Sequence, residues 1–173
     1  MKKALERVLS AIGAVNGVVV VFEKVALVVL MVAMLVFGFL QVFSRYILKS
    51  PIEWSQELLT YSFAWTTFLG ASLALFLKKH FSVDILVRAF PPPLRRGVAM
   101  LTWALILGFS VFLIVMGTNL TLANRIQMMD VLPLSVSWAD LAMPVCGLFI
   151  FLHTAQIILE VGMGIDRKEV EEV

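Results

Sequence analysis

Charge is what this sequence has least of. Asp, Glu, Lys and Arg make up 15% of its 173 residues, against about a quarter in soluble domains. The gaps between the charges matter more than their number. No Asp, Glu, Lys or Arg falls within residues 25–44, 58–77, 97–124 or 141–159. Each run is apolar almost all round, and each meets or approaches the ~20 residues that cross a bilayer as a helix. Four such runs leave too little polar sequence to cover them in water, so a soluble domain is excluded. Cysteine is almost missing as well. The single Cys146 cannot form an internal disulfide, and no zinc-type Cys/His cluster, phosphate-binding glycine loop or nucleophile constellation occurs. Nothing in the residues points to an enzyme. Histidine is limited to His80 and His153, which would suffice for one axially ligated haem, so a haem-carrying respiratory anchor stands as a rival reading.

What is present describes an all-α integral membrane protein with four transmembrane helices. The expected spans are residues 25–44, 54–77, 97–124 and 138–160, in one membrane domain, with a lead-in over 1–24 and a tail over 161–173. All but three of the 14 Lys and Arg residues fall in the lead-in, the loop between spans two and three, or the tail. Only Arg45, Lys49 and Arg125 lie on the other side. The positive-inside rule then predicts both termini inside (N-in/C-in). Tyr46, Trp54 and Trp138 fall at the expected outer boundaries, where amphipathic rings favour the headgroup layer. The lead-in has the basic start of a signal peptide, but Asn16 interrupts its apolar stretch and no small-x-small cleavage site follows, so an uncleaved helix is expected. Its Gly13-x-x-x-Gly17 spacing is a common helix-packing pattern.

Between spans two and three, Phe81 to Phe90 mixes large apolar residues with Asp84 and Arg88. It is too short and too charged to span, and is expected to lie along the inner surface as an amphipathic segment ended by Pro91, Pro92 and Pro93. Residues 97–124 would form a straight helix of about 42 Å, so it must tilt or project. Pro144 is placed to kink the fourth span. On span two, Ser62, Thr66, Gly70 and Ala74 recur every four residues. This stripe of small side chains lets another helix approach, either of this chain or of a partner. The runs hold no charge to serve an ion path, and inside them only His153, followed by Gln156, is distinctly polar in a way that matters for proton or ion handling. No inverted internal repeat is evident. These residues describe a scaffold with charged rims, an accessory or anchoring subunit.

One ordered set of residues goes further. Arg45-Tyr46 closes span one, and Trp54-Ser-Gln-Glu57-Leu58 opens span two. Trp65, Phe68-Leu69-Gly70-Ala71 and then His80-Phe-Ser-Val83-Asp84 follow. From Arg45 to Asp84 this resembles the small, Q-type (DctQ-like) membrane subunit of tripartite ATP-independent periplasmic (TRAP) transporters. The resemblance implies a non-catalytic subunit of the bacterial or archaeal inner membrane, touching lipid and no nucleic acid. Its partners would be a large membrane subunit carrying the substrate and Na+ sites and a periplasmic solute-binding protein, for uptake of a small organic anion. No cofactor is implied in this chain. Arg45, Lys49, Glu53, Trp54, Glu57, Arg125 and Asp130 become candidate partner contacts, with Arg45 and Glu57 a candidate pair, and His80 and Asp84 would order the inner turn. A small homo-oligomeric transporter is the remaining alternative.

Overall fold

The computed structural model describes residues 2–50, 52–77 and 92–162, and nearly all of them are helical. Helix α1 runs over Lys2–Tyr46, α2 over Glu53–Phe76 and α3 over Pro92–Ala123. A 3-10 turn, Asn124–Ile126, leads into a short hairpin, and then come α4, Ser137–Asp140, and α5, Ala142–Gly162. Four stretches are long and apolar enough to cross a membrane: Leu9–Tyr46, Glu53–Phe76, Met100–Ile126 and Ser137–Leu159. The lead-in and the first expected span are thus one continuous helix, because nothing in residues 2–46 (no proline, no paired glycine) interrupts it.

At one end of the bundle, Lys49 adopts a left-handed conformation (φ 51°), and the Ser50 N–H returns to Ser44 O at 3.2 Å, reversing the chain into α2. Ile52 is extended and Ser55 Oγ donates to its carbonyl at 2.7 Å. This end, which also carries the 124–136 connection, is the hairpin end; the opposite, terminal end holds the start of α1 and the end of α5. The break at Leu141 follows from Pro144, which has no N–H to give to the Asp140 carbonyl.

Burial is inverted relative to a soluble protein. Asn16, Glu23, Ser44, Ser55, Ser72, Ser110, His153 and Thr154 are fully buried, while most large apolar side chains of α1 are exposed. Such a surface is stable only in lipid or against other apolar protein. Several hydroxyls within the helices are satisfied locally: Thr60, Thr66, Thr102, Thr118 and Thr121 each donate to the carbonyl four residues back, at 2.6–3.0 Å. The tightest packing joins α3 to α5. A Cβ on Gly117 would stand 2.7 Å from Pro144 Cδ and 2.8 Å from its backbone nitrogen, and one on Gly147 would stand 3.0 Å from Leu113 Cβ. Leu75, Leu113 and Ile150 centre the small apolar core beside this contact.

Candidate functional site

Two polar constellations stand out, one at each end of the bundle. At the hairpin end, Glu57 sits one turn into α2, facing the 127–136 connection. Its Oε1 accepts the Asp130 N–H at 2.9 Å, and its Oε2 accepts those of Val131 (3.2 Å) and Leu132 (2.8 Å). One carboxylate thus satisfies three successive backbone donors. The hairpin is closed further by Met129 N–H to Leu134 O (2.8 Å) and Val136 N–H to Gln127 O (2.9 Å). Ser135 Oγ donates to the Asn124 or Arg125 carbonyl, Asn124 Nδ2 to Asp140 Oδ2 at 2.8 Å, and Trp65 Nε1 to Trp138 O at 3.0 Å. Non-helical backbone near a bilayer must find its partners inside the protein, and most N–H groups of this connection do. Beside the clasp, Glu53, Gln56, Glu57, Thr60, Tyr61, Asp130 and Val131 line a shallow acidic groove of about 380 Å³.

The expected contact residues fall around this groove unevenly. Glu53 and Asp130 are exposed on its rim, and Arg45, Lys49 and Arg125 are exposed nearby in sequence but do not line it. Trp54 is exposed, with its ring edge-on to Phe37 at a centroid distance of 6.2 Å. Glu57 does not pair with Arg45; among the described residues the one ion pair is elsewhere. The small-residue stripe of α2 meets α1: Met34 Sδ lies 3.6 Å from Thr66 Oγ1, and a Cβ on Gly70 would lie 3.9 Å from Leu27 Cδ2. Ser62 and Ala74 on the same stripe are half-buried. His80 and Asp84, like the amphipathic segment 81–90, lie outside the described residues.

Toward the terminal end, a buried polar column joins α1 to α5. Glu23 Oε2 and His153 Nε2 stand 3.2 Å apart, with both side chains fully buried. The Phe76 ring covers the imidazole at a centroid distance of 4.4 Å. On the next turns, Asn16 Nδ2 donates to Gln156 Oε1 at 2.6 Å and to Leu152 O at 3.1 Å. Glu23 Oε1, Asn16 Oδ1, His153 Nδ1 and Thr154 Oγ1 have no protein partner. A carboxylate–imidazole pair is neutral as a unit whether the proton rests on oxygen or nitrogen, so it can be buried where either group alone could not. The sequence reading missed Asn16 and Glu23 because Lys24 appeared to bound the first span. A signal was there: Asn16 and Glu23 are two helical turns apart and His153 and Gln156 one turn apart, so each pair shares a face.

Helices of this length, an apolar exterior and a polar interior define a multi-pass helical membrane protein. The family model for tripartite ATP-independent periplasmic transporters, DctQ component, matches residues 34–161. The chain belongs to that family, the small permease subunits of TRAP transporters. Among its relatives, the C4-dicarboxylate TRAP transporter small permease protein DctQ of Vibrio cholerae serotype O1 is 32% identical over 97 residues, covering 56% of this chain and 42% of that protein. The sialic acid TRAP transporter small permease protein SiaQ of the same organism is 25% identical over 136 residues, covering 79% of each. A putative TRAP transporter small permease protein of Haemophilus influenzae is 44% identical over 54 residues, covering 31% of this chain and 34% of that protein. The match to the first of these therefore spans less than half of its length.

Proposed function

We propose that this chain is a non-catalytic brace: it holds the large membrane subunit of a TRAP transporter in place and offers its hairpin end to a periplasmic solute-binding protein. The observation that carries the reading is how its best-sheltered carboxylates are used. Glu57 is spent on three backbone donors of the hairpin and Glu23 on His153, so both hold parts of this chain together. A subunit that moved an ion itself would keep such a group open to a pathway.

In this reading the protein sits in a bacterial inner membrane with both termini in the cytoplasm, as the distribution of Lys and Arg favours. The hairpin end then faces the periplasm, with Glu53 and Asp130 on the groove rim and Arg45, Lys49 and Arg125 exposed at the same end, where charged groups steer an incoming partner. The transported solute is a small organic acid, the class to which the solutes in two relatives' names belong. Coupling to Na+ and the solute site reside in the large subunit, and this chain needs no cofactor. The test is reconstitution. Proteoliposomes holding this chain and the large subunit, with binding protein and an inward Na+ gradient, are expected to take up solute, and omission of this chain abolishes uptake. Uptake by this chain alone, or undiminished uptake without it, refutes the proposal.

A further inference from the structure

The exposed face of α1 is longer than a bilayer can cover. Val15, Phe22, Val29, Val36 and Phe43 recur every seven residues along it, all exposed. Three positions after each stand Val18, Val25, Val32, Phe39 and Tyr46, exposed as well. Val21, Val28, Leu35 and Val42 widen the same face. From Val15 to Tyr46 it extends 31 residues, about 46 Å at 1.5 Å per residue, against about 30 Å of hydrocarbon. The exposed stripe of α3, from Met100 to Leu122, extends 22 residues, about 33 Å, and lipid alone suffices for it.

Charge marks where the lipid-covered part of α1 stops. Lys24 is exposed, and from it to Arg45 is 21 residues, about 32 Å, one hydrocarbon thickness with a cation at each edge. Val15, Val18, Val21 and Phe22 therefore lie beyond the hydrocarbon at the terminal end. Strong tilting does not rescue them: fitting the whole face into the bilayer needs about 50°, outside the usual range of up to 40°, and would draw Lys24 into the hydrocarbon. Nor can the segment peel away to lie on the membrane surface. Asn16 is bonded to Gln156 and Leu152, and Glu23 to His153, which pins this stretch upright against α5.

An apolar, rigid face outside the hydrocarbon calls for protein. Its width selects which kind. The face takes three positions of every seven, whereas a two-stranded parallel coil uses two. A face that broad fills a groove between helices, which a polytopic subunit supplies and a second copy of one helix does not. We propose that the Val15–Phe22 face of α1, continuous with its membrane-embedded part, seats in an apolar groove between helices of the large membrane subunit. The inference rests on the small-subunit reading above and lies in a segment that precedes residue 34, where the family match begins.

A photo-reactive phenylalanine analogue placed at Val18 or Val21 tests it, with Leu105 and Phe109 on α3 as lipid-facing controls. The chain is produced with its large subunit and irradiated in native membranes. Adducts with the large subunit from α1 and none from α3 are expected. In parallel, the double substitution Val18→Ser, Val21→Ser is expected to lower recovery of the large subunit at least about tenfold. This pair of exposed residues leaves the buried contacts intact, so the variant still folds. Adducts from α3 alone or from both helices alike, adducts only between copies of this chain, or full recovery with the serine variant overturn the α1 seat. In those cases co-purification of the large subunit leaves the small-subunit reading standing. A large subunit that never co-purifies with the unmodified chain overturns both.

Discussion

Replacing Glu57 by alanine removes the acceptor for the Asp130, Val131 and Leu132 N–H groups in one step. Hydrogen bonds to a charged acceptor contribute about 1.5–3 kcal/mol each, and the lower end applies here because the clasp is half-exposed. Asp130 and Val131 lie at the solvent edge and regain water, so a net loss of about 3 kcal/mol, local to the hairpin, is expected. Each 1.4 kcal/mol is a factor of ten in an equilibrium constant, so local opening should rise about 100-fold. Hydrogen–deuterium exchange of the detergent-solubilised protein reads this directly. Amides 130–132 should exchange faster by that factor, while those in the middle of α3 and α5 keep their protection. Glu57→Gln keeps one acceptor oxygen but turns an amide N–H toward the remaining donors, so an intermediate loss is expected. Glu53→Gln, on the groove rim and accepting from none of these three amides, should leave their exchange unchanged. Unchanged exchange at 130–132 in Glu57→Ala would refute the clasp.

Other perturbations separate packing from polar locking. Gly117→Ala places a methyl within 2.7–2.8 Å of Pro144 and Met143 and should cost about 1–3 kcal/mol, seen as a lower melting temperature in detergent. Gly108→Ala meets nothing within 4 Å and should be neutral or stabilising by up to ~1 kcal/mol; equal effects at both sites would contradict the close α3–α5 approach. Removing one member of the buried pair, by His153→Ala, should destabilise by about 3–5 kcal/mol because Glu23 is left without its partner. Adding Glu23→Leu to that variant should recover part of the loss, and additive losses in this double substitution would speak against the pairing. Trp65→Phe deletes the bond to Trp138 O, and a loss of about 1 kcal/mol confined to the hairpin end is expected by thermal unfolding.

The four-span membrane architecture was legible in the residues because the bilayer is a solvent that sequence hydropathy reads one residue at a time. An uncharged run of about 20 residues has one stable outcome whatever its neighbours do, and rim charges and aromatics mark its ends. The family could be read from the ordered residues between Arg45 and Asp84. What could not be read was which polar residue meets which. Glu57 was visible as a rim acid and Arg45 as a candidate partner across the α1–α2 corner, yet the carboxylate faces backbone from a loop some 70 residues on, a partner set by how α3 and α5 pack. Lys24 appeared to close the first span and hid Glu23, although the helix simply continues and turns Glu23 inward while Lys24 faces out. Side-chain character along one helix is a local property, and composition reports it. The meeting of Asn16 with Gln156 and of Glu23 with His153 joins residues 140 and 130 positions apart across the contact of two helices, and only the tertiary structure decides that.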